Sequence, residues 1–327
     1  MLGRVLYSPF LAQVVVTRRC NLSCTYCNEF DDHSPPVPQE TLRERLRKLK
    51  ALGTWAVEWT GGEPMLHPDI FALTRYAKRE LGFHKVMLLS NAYLFNEQKV
   101  EQLNEAGLDE LQISIDGVHP NDVTVKVLRP LRKKLEVVVR AARFRVTLNA
   151  VIGSAPAEEA LEVVSFAREH GLRPRVCLIH GGEGQLDLGP DELAVYEQIK
   201  ASLGRRFREA GDYRSRLMHE GKAPFKCRAG SRYLYVDEHG MVRWCSQQRQ
   251  TWGKSLAEFT RADLKKQFYT RKDCNEECTV GCVRTCSSTD EWRSQPLAPD
   301  PAEMAGEVVQ IGLPPRAASA AETLLDE

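Results

Sequence analysis

Residues 14–27, VVVTRRCNLSCTYC, decide how the rest of the chain is read. A β-branched run, the composition of a buried strand, gives way within three residues to Cys20, Cys24 and Cys27, spaced C-x3-C-x2-C. Three thiolates on one loop can hold three irons of a [4Fe-4S] cluster and leave the fourth iron without a protein ligand. An open position on a soft cluster can bind and reduce another molecule. Zinc is the alternative, but it would want a fourth Cys or His nearby, and His33 is the only close candidate. Disulfides are disfavoured by how cysteine is used. Of ten cysteines, nine fall in two tight sets (20, 24, 27 and 227, 245, 274, 278, 282, 286) separated by long empty stretches. A secreted disulfide framework spreads its cysteines through a small domain.

Outward from this loop, strand and helix signals alternate. Strands are expected over 13–17, 55–60, 85–90, 111–115, 145–152 and 175–179, with helices over 39–52, 70–81, 97–106, 131–143, 157–170 and 191–210. Six strand-then-helix units without a hairpin signal predict an α/β fold, a partial (β/α)6 barrel of TIM type with parallel strands and right-handed crossovers. Function in such folds gathers at the C-terminal ends of the strands. The rhythm breaks over 211–223. A hairpin is expected over 231–245 with its turn ending at Gly240, then a helix near 262–269, then the second cysteine set. The expected organisation is an N-terminal segment 1–12, a barrel 13–210, a small cysteine-rich domain 211–295, and a Pro/Ala-rich tail 296–327, mostly extended or disordered.

The strand ends carry more than cysteines. Tyr26 precedes the last Cys of the loop, Gly61-Gly62-Glu63-Pro64 follows strand two, Ser90-Asn91 follows strand three, and Ser114-Ile115-Asp116-Gly117 follows strand four. With the cysteine spacing, this combination resembles the radical S-adenosylmethionine (SAM) superfamily over about 200 residues. The resemblance implies that Cys20, Cys24 and Cys27 ligate a [4Fe-4S] cluster whose fourth iron is chelated by the amino and carboxylate groups of SAM. It implies that Gly61 and Gly62 let backbone approach the methionine moiety, with Pro64 closing that loop and Glu63 near the ammonium. Ser90, Asn91, Ser114, Asp116 and Asn149 become candidates for contacts to the carboxylate and ribose, and Tyr26 for the adenine. The implied activity is reductive cleavage of SAM to a 5′-deoxyadenosyl radical that abstracts hydrogen from a substrate at the barrel mouth. For each polar residue a plain loop or cap role is the alternative.

The second set, CRAGSRYLYVDEHGMVRWC from Cys227 to Cys245, resembles the opening of the SPASM and twitch auxiliary domains of such enzymes. The run that follows, Cys274, Cys278, Cys282 and Cys286, departs from the usual SPASM spacing. Six cysteines cannot complete two four-thiolate clusters, so one auxiliary [4Fe-4S] cluster is expected, on Cys227, Cys245 and two of the later four. Cys278 and Cys282, which bracket Gly281, are the first choice and Cys274 and Cys286 the next. Loop is expected around at least part of this run, and a structural zinc is the alternative. The auxiliary cluster would accept an electron after substrate oxidation or bind substrate. Cys177, in the sixth strand, reads as an inert core thiol, with a substrate-facing role as the alternative.

Charge narrows the partners. There are 45 basic and 44 acidic residues, a net charge of +1, so no broad basic face for nucleic acid is expected. The basic run 126–145 reads as a solvated helix. No apolar stretch is long enough to span a membrane and no signal peptide is apparent, so a cytoplasmic location is expected. Enzymes with such auxiliary domains act on ribosomal peptides, sulfatase-type proteins or small molecules such as aminosugars. The first cluster cysteine lies only twenty residues in, which favours a small-molecule substrate or a peptide presented by a separate partner. An electron donor such as flavodoxin or ferredoxin is implied, and the loop 180–182 is a candidate substrate-facing segment. A non-catalytic iron–sulfur electron carrier and an RNA-modifying radical SAM enzyme are the alternative functions.

Overall fold

The computed structural model describes residues 6–179, 188–203 and 205–290, with side chains omitted for 205–212. The tail 296–327 and the loop 180–182 lie outside the described residues.

Six parallel strands follow one another in order: β1 (Leu11–Thr17), β2 (Ala56–Gly61), β3 (Lys85–Ser90), β4 (Glu110–Ile115), β5 (Arg145–Ile152) and β6 (Arg173–Leu178). Each is followed by helix: α1 (Gln39–Leu52), α2 (Ile70–Arg75), α3 (Glu97–Ala106), α4 (Leu128–Ala141), α5 (Glu159–Glu169) and α6 (Pro190–Ser202). This is the expected partial (β/α)6 barrel. The amphipathic spacing explains why: Leu42, Leu46, Leu49 and Leu52 of α1 are all buried, and the helix stops at Gly53, whose φ of +89° only glycine adopts readily. Alternate residues of β1 (Ala12, Val14, Val16) pack in the same core as those leucines, whereas Leu11 and Val15 face a second core with Tyr213, Tyr233 and Tyr235. Strands covered on both faces read as near-continuous apolar runs.

Three expectations fail. The helix expected over 191–210 stops at Ser202, where Leu203 turns extended, and a second helix starts at Arg205. The helix expected over 70–81 is α-helical only to Arg75 and continues as a π-turn over Tyr76–Glu80. The break expected over 211–223 is mostly helix, α7 (Arg205–Glu220). Gly211 makes that stretch look weak, at about 1 kcal/mol against Ala, but burial of Tyr213 and Leu217, one turn apart, offsets it.

The hairpin strands β7 (Tyr233–Val236) and β8 (Met241–Arg243), with the short β9 (Lys254–Ser255), do not stand apart from the barrel. The sheet order is β6-β5-β4-β3-β2-β1-β7-β8-β9, and β7 runs parallel to β1. An incomplete barrel leaves the outer edge of β1 unpaired, and β7 covers it. After α8 (Arg261–Tyr269), α9 (Gly281–Ser288) brings Val283 and Cys286 into the second core. Gly281 opens this helix; the loop expected over 274–286 holds only up to Val280.

Arg45 on α1 clamps the hairpin turn, donating from Nη1 to Asp237 O (3.2 Å) and from Nη2 to Glu238 O (2.9 Å). Arg45→Ala should loosen that turn by about 1–2 kcal/mol. Amide exchange at Gly240 should then speed by roughly tenfold, with β3 amides unchanged. Unchanged exchange at Gly240 would show that the clamp carries nothing.

Candidate functional site

The loop bearing Cys20, Cys24 and Cys27 is built against the end of β2. Gly62 N donates to Thr17 O (2.9 Å) and Glu63 N to Arg19 O (2.8 Å), while Asp31 closes the loop, its N–H on Arg18 O (2.8 Å) and its O accepting from Cys20 N (3.3 Å). Gly61 has φ +129°. A Cβ on Gly61 would come under 3.0 Å from Thr17 O, and one on Gly62 under 3.0 Å from the carbonyls of both Arg18 and Arg19. What these two glycines admit here is therefore the backbone of the cysteine loop itself.

Cys24 is buried, with its Sγ 3.4 Å from Thr124 Oγ1. Cys20 Sγ accepts from Leu22 N (3.4 Å) and from Asn91 Nδ2 (3.7 Å). Burial pushes the Cys20 thiol up, against the Leu22 N–H, and the Glu63 and Cys27 charges add to the rise. Cys27 is raised in the same way. Thiols held above their ordinary range give up their protons to iron, not to water.

The polar residues of the strand ends form two hydrogen-bonded groups, one around Glu63 and one around Asp116. Glu63 is wholly buried and accepts from Ser90 Oγ (2.9 Å), Asn91 N (2.8 Å) and Met65 N (3.0 Å), capping the short turn that begins at Pro64. Burial raises its carboxyl, and those donors pull it back. Tyr26 OH donates to Asp116 Oδ2 (2.7 Å), and Thr124 Oγ1 donates to the same oxygen (2.8 Å). Ser114 and Asn149 are neighbours in register on β4 and β5. Asp116 Oδ1 and Asn149 Oδ1 are buried and take no hydrogen bond.

Lys126 and Thr124 were missed by the sequence reading. Lys126 Nζ donates to Tyr26 OH (2.6 Å) and lies 3.4 Å from Asp116 Oδ1. Burial works against its charge, but Tyr26 and Asp116 outweigh it and hold the ammonium above its ordinary range. The run 126–145 looked like a solvated face; its first residue instead points inward, ahead of α4, and no spacing signal marks it.

The later cysteines sort into two groups. Cys227, Cys245, Cys274 and Cys278 lie within charge range of one another. Asn275 ties their loops together: its Oδ1 accepts from Cys227 N and its Nδ2 donates to Phe225 O (2.7 Å), beside an Ala223 N to Glu276 O bond (2.6 Å). Lys272 is buried among them and lowered by that burial to about 8, partly restored by Cys227. Cys282 faces elsewhere, toward Glu58, Arg175 and Tyr233, and Cys286 lies near Cys282 and Glu58. The first choice, Cys278 with Cys282, is thus split between the two groups by these contacts, and Cys274 takes the place beside Cys278. Because α9 begins at Gly281, Cys282 and Cys286 share a helix face at i, i+4, while Cys274 and Cys278 precede the helix. Cys177 is not in an apolar core either; its Sγ is 4.0 Å from Arg214 Nη2.

Both donor sets suit clusters. The first offers three thiols with two buried acceptors nearby that take no hydrogen bond, the second four thiols with a buried cation. Among the described residues no three His, Cys, Asp or Glu side chains converge on a single ion, as ligands that each serve a different iron would not. The two cysteine loops also touch: Asn28 Nδ2 donates to Gln247 Oε1 (3.2 Å), and Tyr235 OH to Glu29 Oε2 (2.6 Å).

A profile of the Radical SAM superfamily matches residues 14–195. The chain is 31% identical over 254 residues to a PqqA peptide cyclase of Gluconobacter oxydans, covering 72% of this chain and 70% of that protein. It is 33% identical over 172 residues to a GTP 3′,8-cyclase of Chlorobaculum tepidum, covering 50% of this chain and about half, 51%, of that protein. Among solved structures, Streptococcus suis SuiB bound to precursor peptide SuiA superposes with a TM-score of 0.62 at 18% identity, over 82% of this chain and 66% of that one. Native anSMEcpe with bound AdoMet and Cp18Cys peptide gives 0.56 at 15% identity, over 88% of this chain and 97% of that one. At these identities the structural likeness is one of fold.

Gly62→Ala places a methyl group against two carbonyls that cannot move without unseating the cysteine loop. It should lower reconstituted iron from about eight to about four per chain, two cubanes to one, and abolish SAM cleavage. Full iron in this variant would return the glycine to a purely ligand-facing role.

Proposed function

The chain belongs to the radical SAM superfamily, and from that premise we propose that it is a peptide-modifying enzyme with an auxiliary [4Fe-4S] cluster on Cys227, Cys245, Cys274 and Cys278. It is an enzyme of the radical SAM class, with a [4Fe-4S] cluster and SAM as its cofactors. A cluster with SAM on its open iron supplies a 5′-deoxyadenosyl radical for hydrogen abstraction.

The remaining work falls to the chain's own residues. Cys20, Cys24 and Cys27 would hold the first cluster, with Asn91 Nδ2 donating to the Cys20 sulfur. Glu63 fixes the GGEP loop against Ser90 and Asn91, so that backbone at Gly61 and Gly62 and the carboxylate itself face the methionine end. Asn149 Oδ1, which accepts no hydrogen bond, and Asp116 Oδ1, which is ion-paired with Lys126 but accepts none, would be acceptors for ribose hydroxyls or the ammonium, with Ser114 beside them. Tyr26, fixed by Asp116 and Lys126, would border the adenine. Lys126 offsets the Asp116 charge, which water would otherwise have to solvate.

The observation that carries the reading is the four-thiol group beyond the barrel, because the barrel alone is common to the whole superfamily. Its support from relatives is uneven in an informative way. The GTP 3′,8-cyclase match spans half of this chain and other peptide cyclase matches span 44–53%, whereas the Gluconobacter oxydans peptide cyclase match spans 72%. We propose that the auxiliary unit begins with α7 and β7, not at residue 211, and that an external one-electron donor such as flavodoxin or ferredoxin serves the first cluster. Among the described residues no helix is long and apolar enough to cross a membrane.

Cys278→Ala and Cys245→Ala should each lower iron from about eight to about four per chain while reductive SAM cleavage continues with strong reductant. Conversion of the true substrate should be lost. Cys282→Ala should keep about eight irons. Loss of half the iron from the Cys282 variant, with none lost from Cys278, would overturn the assignment.

A further inference from the structure

The inner face of the barrel is polar. Gln13, Glu58, Gln112, Thr147 and Arg175 occupy alternate positions on their strands. Gln13 Nε2 donates to Glu58 Oε2 (2.5 Å), and Arg175 Nη1 donates to Gln112 Oε1 (2.6 Å). Below this layer, toward the N-terminal ends of the strands, lies a cavity of about 260 Å³ lined by Glu58, Met87, Arg175, Arg214, Gly281 and Cys282. Phe10 and Trp55, stacked 4.8 Å apart and each about a third exposed (36% and 37%), border it.

Two guanidinium groups, the buried Arg214 and the part-buried Arg175, meet in this cavity, and neither is hydrogen-bonded to a carboxylate among the described residues. A Cβ on Gly281 would come under 3.0 Å from Arg214 Nη2 and 3.1 Å from Arg175 Nη2, so both cations reach the same spot at the first residue of α9. Arg214 is 6% exposed, and its Nε is buried without a hydrogen-bond partner. Around it lie the Tyr196 hydroxyl, which it hydrogen-bonds, the Cys177 sulfur and the Tyr213 ring. Among the described residues neither arginine forms an ion pair, whereas the nearby Glu110 is already taken by Lys85 (2.5 Å) and Arg145 (3.6 Å). Glu58 is within charge range of Arg175 but is bonded to Gln13. A buried guanidinium with an unbonded N–H is expensive; Arg214 has one at Nε, and Arg175 brings a second positive charge to the same spot.

We propose that Arg175, Arg214 and the N-terminus of α9 form an anion site in the barrel cavity that takes a carboxylate of the substrate. A planar carboxylate matches the fork of a guanidinium, and the first N–H groups of a helix add to it. The inference rests on the reading above only in taking the barrel as the substrate chamber; it adds that the substrate carries an acidic side chain or a free C-terminus there. Asn149, a candidate SAM contact, is Arg175's register neighbour across β5 and β6, so the polar layer lies between the site and the cofactor end of the same lumen.

The test uses reconstituted full-length enzyme with SAM and three acetylated tripeptides followed by titration calorimetry. Ac-Ala-Glu-Ala-amide carries a side-chain carboxylate, Ac-Ala-Gln-Ala with a free C-terminus carries a terminal one, and Ac-Ala-Gln-Ala-amide is neutral. At least one charged peptide should bind ten times or more tighter than the neutral one, and which one does identifies the source. That advantage should vanish in Arg214→Gln and in Gly281→Ala, which keeps both arginines and whose φ tolerates a side chain. Both variants should retain about eight irons and reductive SAM cleavage, which separates loss of the site from loss of the fold or of the radical chemistry. Equal binding of all three peptides, no binding by either charged one at millimolar concentration, tighter binding of inorganic phosphate, or an advantage that survives Gly281→Ala would each overturn the proposal.

Discussion

The contact on which the site depends is between two pieces of backbone. Glu63 N donates to Arg19 O and Gly62 N to Thr17 O, and this is possible only because neither Gly61 nor Gly62 has a side chain in the way. The loop carrying three cysteines has almost no hydrophobic anchorage of its own, so it takes its shape from the end of β2. From there the order passes inward: Glu63, buried by the same contact, gathers Ser90 and Asn91, and Asn91 returns to Cys20. One steric condition at two glycines thus sets the positions of residues from three strand ends. Unsatisfied polar groups in such a place would be costly, and the strand-end hydrogen bonds leave open only those acceptors a ligand can use.

Much of this was legible beforehand. The parallel strands announced themselves by apolar runs and glycine stops, and the first cysteine set by a spacing that few other chemistries want. What stayed hidden has physical causes. Lys126 shares a stretch with a real amphipathic helix, and composition cannot say that one lysine at its start turns inward to Tyr26 and Asp116. The sorting of Cys274, Cys278, Cys282 and Cys286 depends on where α9 begins, and Gly281, which weakens a helix interior, is harmless at its first residue. The pairing of β7 with β1 joins residues more than two hundred positions apart, and no local pattern encodes which edge a hairpin will cover.

The two cysteine groups are separate in ligation yet mechanically joined. Asn28 follows Cys27 directly, and Gln247 lies two residues after Cys245; they share a hydrogen bond. Glu29 meets Tyr235, which also accepts from Arg249 (2.9 Å). Burial raises the Glu29 carboxyl, and Tyr235 and Arg249 hold it down. This interface is polar and runs from the exposed Asn28–Gln247 bond to the part-buried Glu29–Tyr235–Arg249 group, so the relative placement of the loops is set by a few directional bonds as much as by apolar packing.

The lumen of the barrel settles what kind of barrel this is. In a filled barrel the inward positions are layers of Val, Ile and Leu, packed to the density of a crystal. Here the inward residues include Gln13, Glu58, Gln112, Arg175 and, from α7, Arg214. Each is a poor choice for a packed core, because burying it forfeits hydration that only a good partner restores. The chain provides such partners for Gln13, Glu58 and Gln112. For the two arginines it provides neutral partners, Gln112 for Arg175 and Tyr196 for Arg214, together with converging geometry, a helix N-terminus and empty space. The signal was present in the sequence as polar residues at the inward positions of otherwise apolar strands, the Glu of WAVEWT, the Gln of LQISI and the Arg of RPRVCL. Residues that weaken a core at every second position describe a chamber, and a chamber whose charges are unmatched describes the charge of its guest.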